Sequence, residues 1–214
     1  MAMRLLFLIL IVISVTSSEL SFAQSTYAEL LKAVEGGDLE ATEALLSRGA
    51  PPDAVDDTGT TLLGLAARAG DSAMVELLIA KGAKVDTPNV NGDTPMLWAA
   101  LYGHTDVVKK LFAKGARLNR PGWNPLHYAA FGGHSDVIKL LLDLGVDPNV
   151  RAANLSTPLI MAVRNRQLDA ARLLLDRGAN PNLANDRGTT PLGYALDQGY
   201  REIGELLIAR GADR

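Results

Sequence analysis

The 214-residue sequence contains no cysteine. That excludes disulfide staples, cysteine-ligated zinc, thiol catalysis and lipid attachment through an N-terminal cysteine. It also lacks an excess of charge of either sign: 21 Lys and Arg against 24 Asp and Glu leave a net charge of −3. Nucleic-acid binders usually carry a basic stripe, so this balance argues against that class of partner. Aromatic residues make up only 5% of the chain, which makes their positions informative. The common catalytic signatures are missing too, with no G-x-x-x-x-G-K-[ST], H-E-x-x-H or G-x-S-x-G. What is present is a 48% hydrophobic content, enough to bury a core.

Residues 1–23 read as a secretory signal. Arg4 supplies a positive start, residues 5–15 are almost wholly apolar, and Ser21-Phe22-Ala23 puts small residues where a signal peptidase needs them. Cleavage is expected before Gln24. A transmembrane anchor is the competing reading, but the apolar run is well short of the ~20 residues that cross a bilayer. An exported chain without cysteine fits a bacterial periplasm better than a eukaryotic secretory route. The expected location is therefore periplasmic or secreted, with no stable membrane insertion after cleavage.

Beyond the signal, the sequence repeats. A Gly, usually followed by Ala, recurs at positions 49, 82, 115, 145, 178 and 211, at intervals of 33 residues apart from one of 30. A second marker keeps the same register: Thr61-Leu62, Thr94-Pro95, Asn124-Pro125, Thr157-Pro158 and Thr190-Pro191. Residues 92–119 illustrate the physics of one unit. Thr94 suits an N-cap and Pro95 the first helical position, where a missing N–H costs nothing. Gly103 suits the end of that helix, and His104-Thr105-Asp106 open a second one, with Asp106 favourable at its positive end. Val107, Val108, Leu111 and Phe112 are expected to form its buried stripe. An Asn/Asp/Gly-rich stretch then turns the chain toward the next unit.

These residues resemble the ankyrin repeat family. The nearest approach to its pattern is Asn124-Pro125-Leu126-His127-Tyr128-Ala129-Ala130, followed by Gly133-His134 and Leu140-Leu141-Leu142. The resemblance implies an all-α repeat solenoid. Each unit would be a β-turn finger plus two antiparallel helices, in about six repeats at 25–56, 57–88, 89–119, 120–151, 152–185 and 186–214. Three departures stand out. The first unit opens as Thr26-Tyr27-Ala28-Glu29, a capping-box pattern expected to start an N-terminal cap. Asn119-Arg120-Pro121-Gly122-Trp123 shortens the finger between units three and four, which should leave a notch. Arg166 occupies the position that holds Gly between the helices of other units.

For the three histidines, structural hydrogen bonding is the expected role, with His127 tying neighbouring repeats together as the resemblance implies. Neither a metal nor a cofactor is expected, and no set of nucleophile, base and stabiliser suggests an enzyme. The aromatics point instead to a surface, because six of the nine beyond the signal fall in units three and four. The residue before each cap is Thr60, Asp93, Trp123, Ser156 and Thr189, a column expected to be exposed, with Trp123 its exception. At the ends of the first helices, Leu101, Tyr102 and Phe131 stand where other units carry Arg68, Arg164 or Asp197. A third column, Leu65, Trp98, Tyr128, Met161 and Tyr194, suits packing and binding equally.

By the resemblance, these positions line a concave face. The residues expected to bind a protein partner are Trp98, Leu101, Tyr102, Trp123, Tyr128, Phe131 and Arg164, on an otherwise monomeric chain. The alternative is that the large rings merely fill the notch. Similar exported bacterial proteins suggest a role in oxidative-stress protection. An immunity protein against a toxin enzyme, and a haem or small-molecule handling protein, are the other readings.

Overall fold

A computed structural model describes residues 17–119 and 122–213. The apolar run of the expected signal lies outside them. Twelve helices and no strand are present among the described residues. They form six successive hairpins: α1 (Ser17–Glu35) with α2 (Leu39–Ser47), α3 (Leu62–Ala69) with α4 (Ser72–Ala80), and α5 (Pro95–Leu101) with α6 (Thr105–Ala113). The next three are α7 (Pro125–Gly132) with α8 (Ser135–Asp143), α9 (Pro158–Arg164) with α10 (Leu168–Asp176), and α11 (Pro191–Asp197) with α12 (Arg201–Ala209). The result is an all-α repeat solenoid. No helix among the described residues is long and apolar enough to cross a membrane.

Local chemistry sets the hairpin ends. The hydroxyls of Thr61, Thr157 and Thr190 accept from the backbone N–H of Gly64, Ile160 and Gly193, and so cap the first helices of three units. Thr94 holds the same position but makes no such bond, so α5 relies on Pro95 instead. Asp71 caps α4 in the ordinary way. The second helices of the later units start differently. His104 Nε2 reaches back 3.0 Å to the Arg68 carbonyl, and His134 Nε2 reaches 2.7 Å to that of Leu101. Gln167 repeats the contact, donating to the Phe131 carbonyl at 3.4 Å. Each of these side chains gives up capping its own helix to tie it to the repeat before. Structural bonding is thus what His104 and His134 do.

The Asn/Asp-rich turns do more than reverse the chain. Asp53, Asn149 and Asn182 each accept the backbone N–H of a residue 31 positions further on, namely Lys84, Asn180 and Asp213. The turns therefore form a ladder of bonds from repeat to repeat. Beneath it, one continuous core runs the length of the stack, with Leu63, Met96, Leu126 and Leu159 from first helices and Leu78, Leu111, Leu141 and Leu174 from second helices fully enclosed. First helices of neighbouring hairpins pack on one another more extensively than second helices do. Hairpins are thus closest together along the first-helix side, and the stack curves with that side inward.

Three expectations are corrected. Phe112 is 40% exposed, whereas Val107, Val108 and Leu111 are buried. At 100° per residue, Phe112 has turned past the edge of the stripe the other three share. The Thr26-Tyr27-Ala28-Glu29 pattern does not start a helix, because α1 begins at Ser17 and runs through it. Thirdly, the column before the caps is not exposed: Thr60 and Ser156 are buried, and Asp93, Trp123 and Thr189 half-buried. Two of its members hold neighbours through their side chains and a third through its backbone. Thr60 Oγ1 accepts from Asn89 Nδ2, Asp93 accepts from the Tyr128 hydroxyl, and the Ser156 carbonyl accepts from His127.

Candidate partner-binding face

Five of the seven residues singled out by sequence come together on the inward side. Leu101 closes α5, Tyr128 and Phe131 lie on α7, Trp123 immediately precedes the α7 cap, and Arg164 ends α9. They surround one open, mainly apolar cavity of about 250 Å³. The other two stand beside it. Trp98 and Tyr102 stack with ring centroids 6.2 Å apart, and the Arg68 guanidinium lies 5.9 Å from the centre of the Trp98 ring. Tyr102 is 49% exposed, the most open aromatic of the group.

Trp123 has two roles. Its ring meets that of His127 edge-on at 5.4 Å and that of Tyr128 at 6.5 Å, packed against the core while lining the cavity. Filling space and presenting surface are therefore not alternatives here. Residues 120 and 121 of the shortened finger, where the notch was expected, lie outside the described residues. The Tyr128 hydroxyl donates to Asp93 at 2.5 Å, and burial together with that carboxylate raises its pKa well above the usual phenol range.

Two further residues line the cavity, Met161 and His127. Met161 belonged to the apolar column that sequence left undecided, so the register did point to it. His127 forms the cavity floor and is fully buried. Its Nε2 donates to the Ser156 carbonyl at 3.0 Å, and its Nδ1 accepts from the Asn124 N–H at 3.3 Å. Burial pushes its pKa down to about 4, so the ring is neutral near pH 7. The Asn124 side-chain oxygen caps α7 by accepting from Leu126 and His127, while its Nδ2 finds no partner among the described residues. Among the described residues, no group of three or more His, Asp and Glu side chains is placed to hold a metal ion.

A family model described as Ankyrin repeats (3 copies) matches residues 30–122, 91–152 and 126–214. The chain belongs to the ankyrin repeat family. Comparison with curated proteins gave no significant match. Ankyrin repeats are protein–protein interaction modules, and the inward side of the stack is the side on which the cavity opens. The reciprocal Asn124–His127 capping box is the ankyrin pattern in this chain, and it explains why a histidine beneath the cavity is committed to the fold.

Proposed function

We propose that this chain is an exported, non-enzymatic recognition module that binds a protein partner through its inward face, centred on Trp123 and Phe131. The observation that carries the reading is the convergence of Leu101, Trp123, Tyr128, Phe131 and Arg164 on one apolar cavity. An apolar hollow rimmed by charge is the anatomy of an interface centre. Against a haem-handling role through His127 stands the engagement of both its ring nitrogens within the chain.

Export rests on residues 1–23. Removal of the signal before Gln24 would shorten α1 and leave Thr26-Tyr27-Ala28-Glu29 near its new start, where a capping-box sequence is useful. Ser25 Oγ already donates to Glu29 there, at 2.8 Å. Mass spectrometry of the exported protein should find Gln24 first, and a retained Met1 in the membrane fraction would overturn the location.

The partner is tested by affinity capture from periplasm, repeated with Trp123→Ala and Phe131→Ala. Each variant should weaken capture of the same protein by about 2 kcal/mol or more. Both side chains are half-buried, so each should also lose about 1–2 kcal/mol of stability, less than a fully buried aromatic would. Folded variants that bind like the parent would overturn the face. A captured catalase would assign the role to oxidative-stress protection, and a captured hydrolytic toxin to immunity.

A further inference from the structure

The ion pairs among the described residues lie on second helices and the turns next to them, as in Lys81–Glu43, Lys110–Glu76 and Arg177–Asp143. The inward face is arranged differently. Arg164 is exposed, makes no ion pair or side-chain hydrogen bond to a described residue, and lines two adjoining cavities. One is the apolar cavity. The other is also about 250 Å³ but of mixed polarity, bounded by Asn154, Ile160, Asn185, Asp186, Arg187 and Tyr194. Arg187 is likewise exposed, and its guanidinium has no described partner. Two guanidiniums and one carboxylate, Asp186, thus line this cavity on a chain whose net charge is −3.

We propose that this face takes an extended segment of a partner protein in which a bulky apolar side chain, seated in the apolar cavity, has close to it in sequence an acidic side chain held by Arg164. The inference rests on reading this face as the partner-binding surface. Shape suits an extended segment as occupant, since two shallow hollows of about 250 Å³ each adjoin at Arg164 and neither alone reaches the roughly 300–1,000 Å³ of small-molecule sites. Charge decides the second residue of the segment. An exposed guanidinium with no ion pair to a described carboxylate to give up offers its planar fork to an incoming one, and arginine suits that bidentate contact better than lysine. Polarity sets direction along the face. Asp93, which precedes the α5 cap, holds its carboxylate against the Tyr128 hydroxyl, so the acidic residue lies on the other side, toward α9 and the second cavity.

Selection of random peptides displayed on phage against the purified protein tests this directly. Enriched peptides should share a bulky apolar residue with Asp or Glu within about four positions of it. Arg164→Gln should weaken the tightest of these peptides about tenfold and remove most of the salt dependence of its binding, because that dependence comes from the carboxylate contact. Phe131→Ala should weaken it as well. A consensus without an acidic residue, an affinity unchanged by Arg164→Gln, or no enrichment at all would overturn the proposal. If peptides are enriched but respond to neither Phe131→Ala nor Trp123→Ala, the face itself is misassigned. If they respond to those two but not to Arg164→Gln, the proposal fails while the reading of the face as a binding surface stands. Arg164 makes no side-chain bond to a described residue, so an unchanged melting curve for Arg164→Gln is the expected control.

Discussion

The protonation of His127 is settled by its neighbours. A carbonyl can only accept, so the bond to Ser156 fixes a proton on Nε2 and leaves Nδ1 as the acceptor for the Asn124 N–H. A second proton would enter at Nδ1, exchanging the Asn124 N–H for a bond to the Asn124 side-chain oxygen 3.0 Å away, and would charge a buried ring. Burial penalises the charged ring and holds the folded pKa at about 4, below the ordinary 6.5, even though the ring's hydrogen bonds act in the opposite direction. Unfolded chains therefore take up the proton first as pH falls. The stabilising contribution is complete above about pH 6.5 and is lost progressively down to about pH 4, amounting to about 3 kcal/mol. Urea midpoints measured across that window should fall steeply for the parent protein, and His127→Gln should remove most of the slope. An unchanged slope in that variant would show that other groups set the acid sensitivity. Sequence pointed to His127 as structural through its motif. The buried amide of Asn124, without a partner among the described residues, was not legible, since nothing in a cap residue's identity says which of its two polar atoms finds a partner.

Among the elements, the fifth hairpin stands apart because both of its tight turns hold a left-handed residue that is not glycine. Leu155 has φ 60° at the fingertip position occupied elsewhere by Gly59, Gly92, Gly122 and Gly188, and Arg166 has φ 57° between α9 and α10. Arg166 has a compensating contact, its guanidinium lying 5.7 Å from the centre of the Tyr200 ring. Leu155 is 42% exposed, and its turn is held by bonds from its backbone to Ala152 and the Arg151 side chain that a glycine could make equally well. A left-handed L-residue costs about 1–2 kcal/mol, so Leu155→Gly should stabilise the protein by about 1 kcal/mol after the added freedom of the unfolded chain is allowed for. Leu155→Ala should give no such gain, which separates strain from the exposure of an apolar side chain. Equal thermal shifts in the two variants would refute the strain explanation. The helices and their order were legible because two markers repeat in one register. The exposure of individual columns was not. Thr60 and Ser156 look like surface residues by composition, yet are buried by bonds to residues about one repeat away, which local pattern does not reveal.

At the scale of the whole molecule, the same asymmetry that curves the stack places the cavity. Close packing of the first helices brings the ends of α5, α7 and α9 together, so residues some thirty positions apart in sequence share one hollow on the inner side. Stability obeys the same one-dimensional logic, because each hairpin rests only on its neighbours. Leu141 on α8 and Leu174 on α10 are fully buried, as the apolar stripe of the second helices required. Replacing either by Ala should cost about 2–5 kcal/mol. Leu207 on α12 is equally buried but belongs to the last hairpin described, which packs on α10 and α9 from one side only. Amide hydrogen exchange should separate the two situations. Leu141→Ala should lower protection in both α6 and α10, since an internal hairpin supports two interfaces, while Leu207→Ala should lower it in α10 and leave α6 unchanged. If Leu207→Ala lowered protection evenly along the stack, the hairpins would be folding as one cooperative block. Nearest-neighbour coupling would then be the wrong description, and a partner bound at α7 would stabilise the distant ends as strongly as the hairpins it touches.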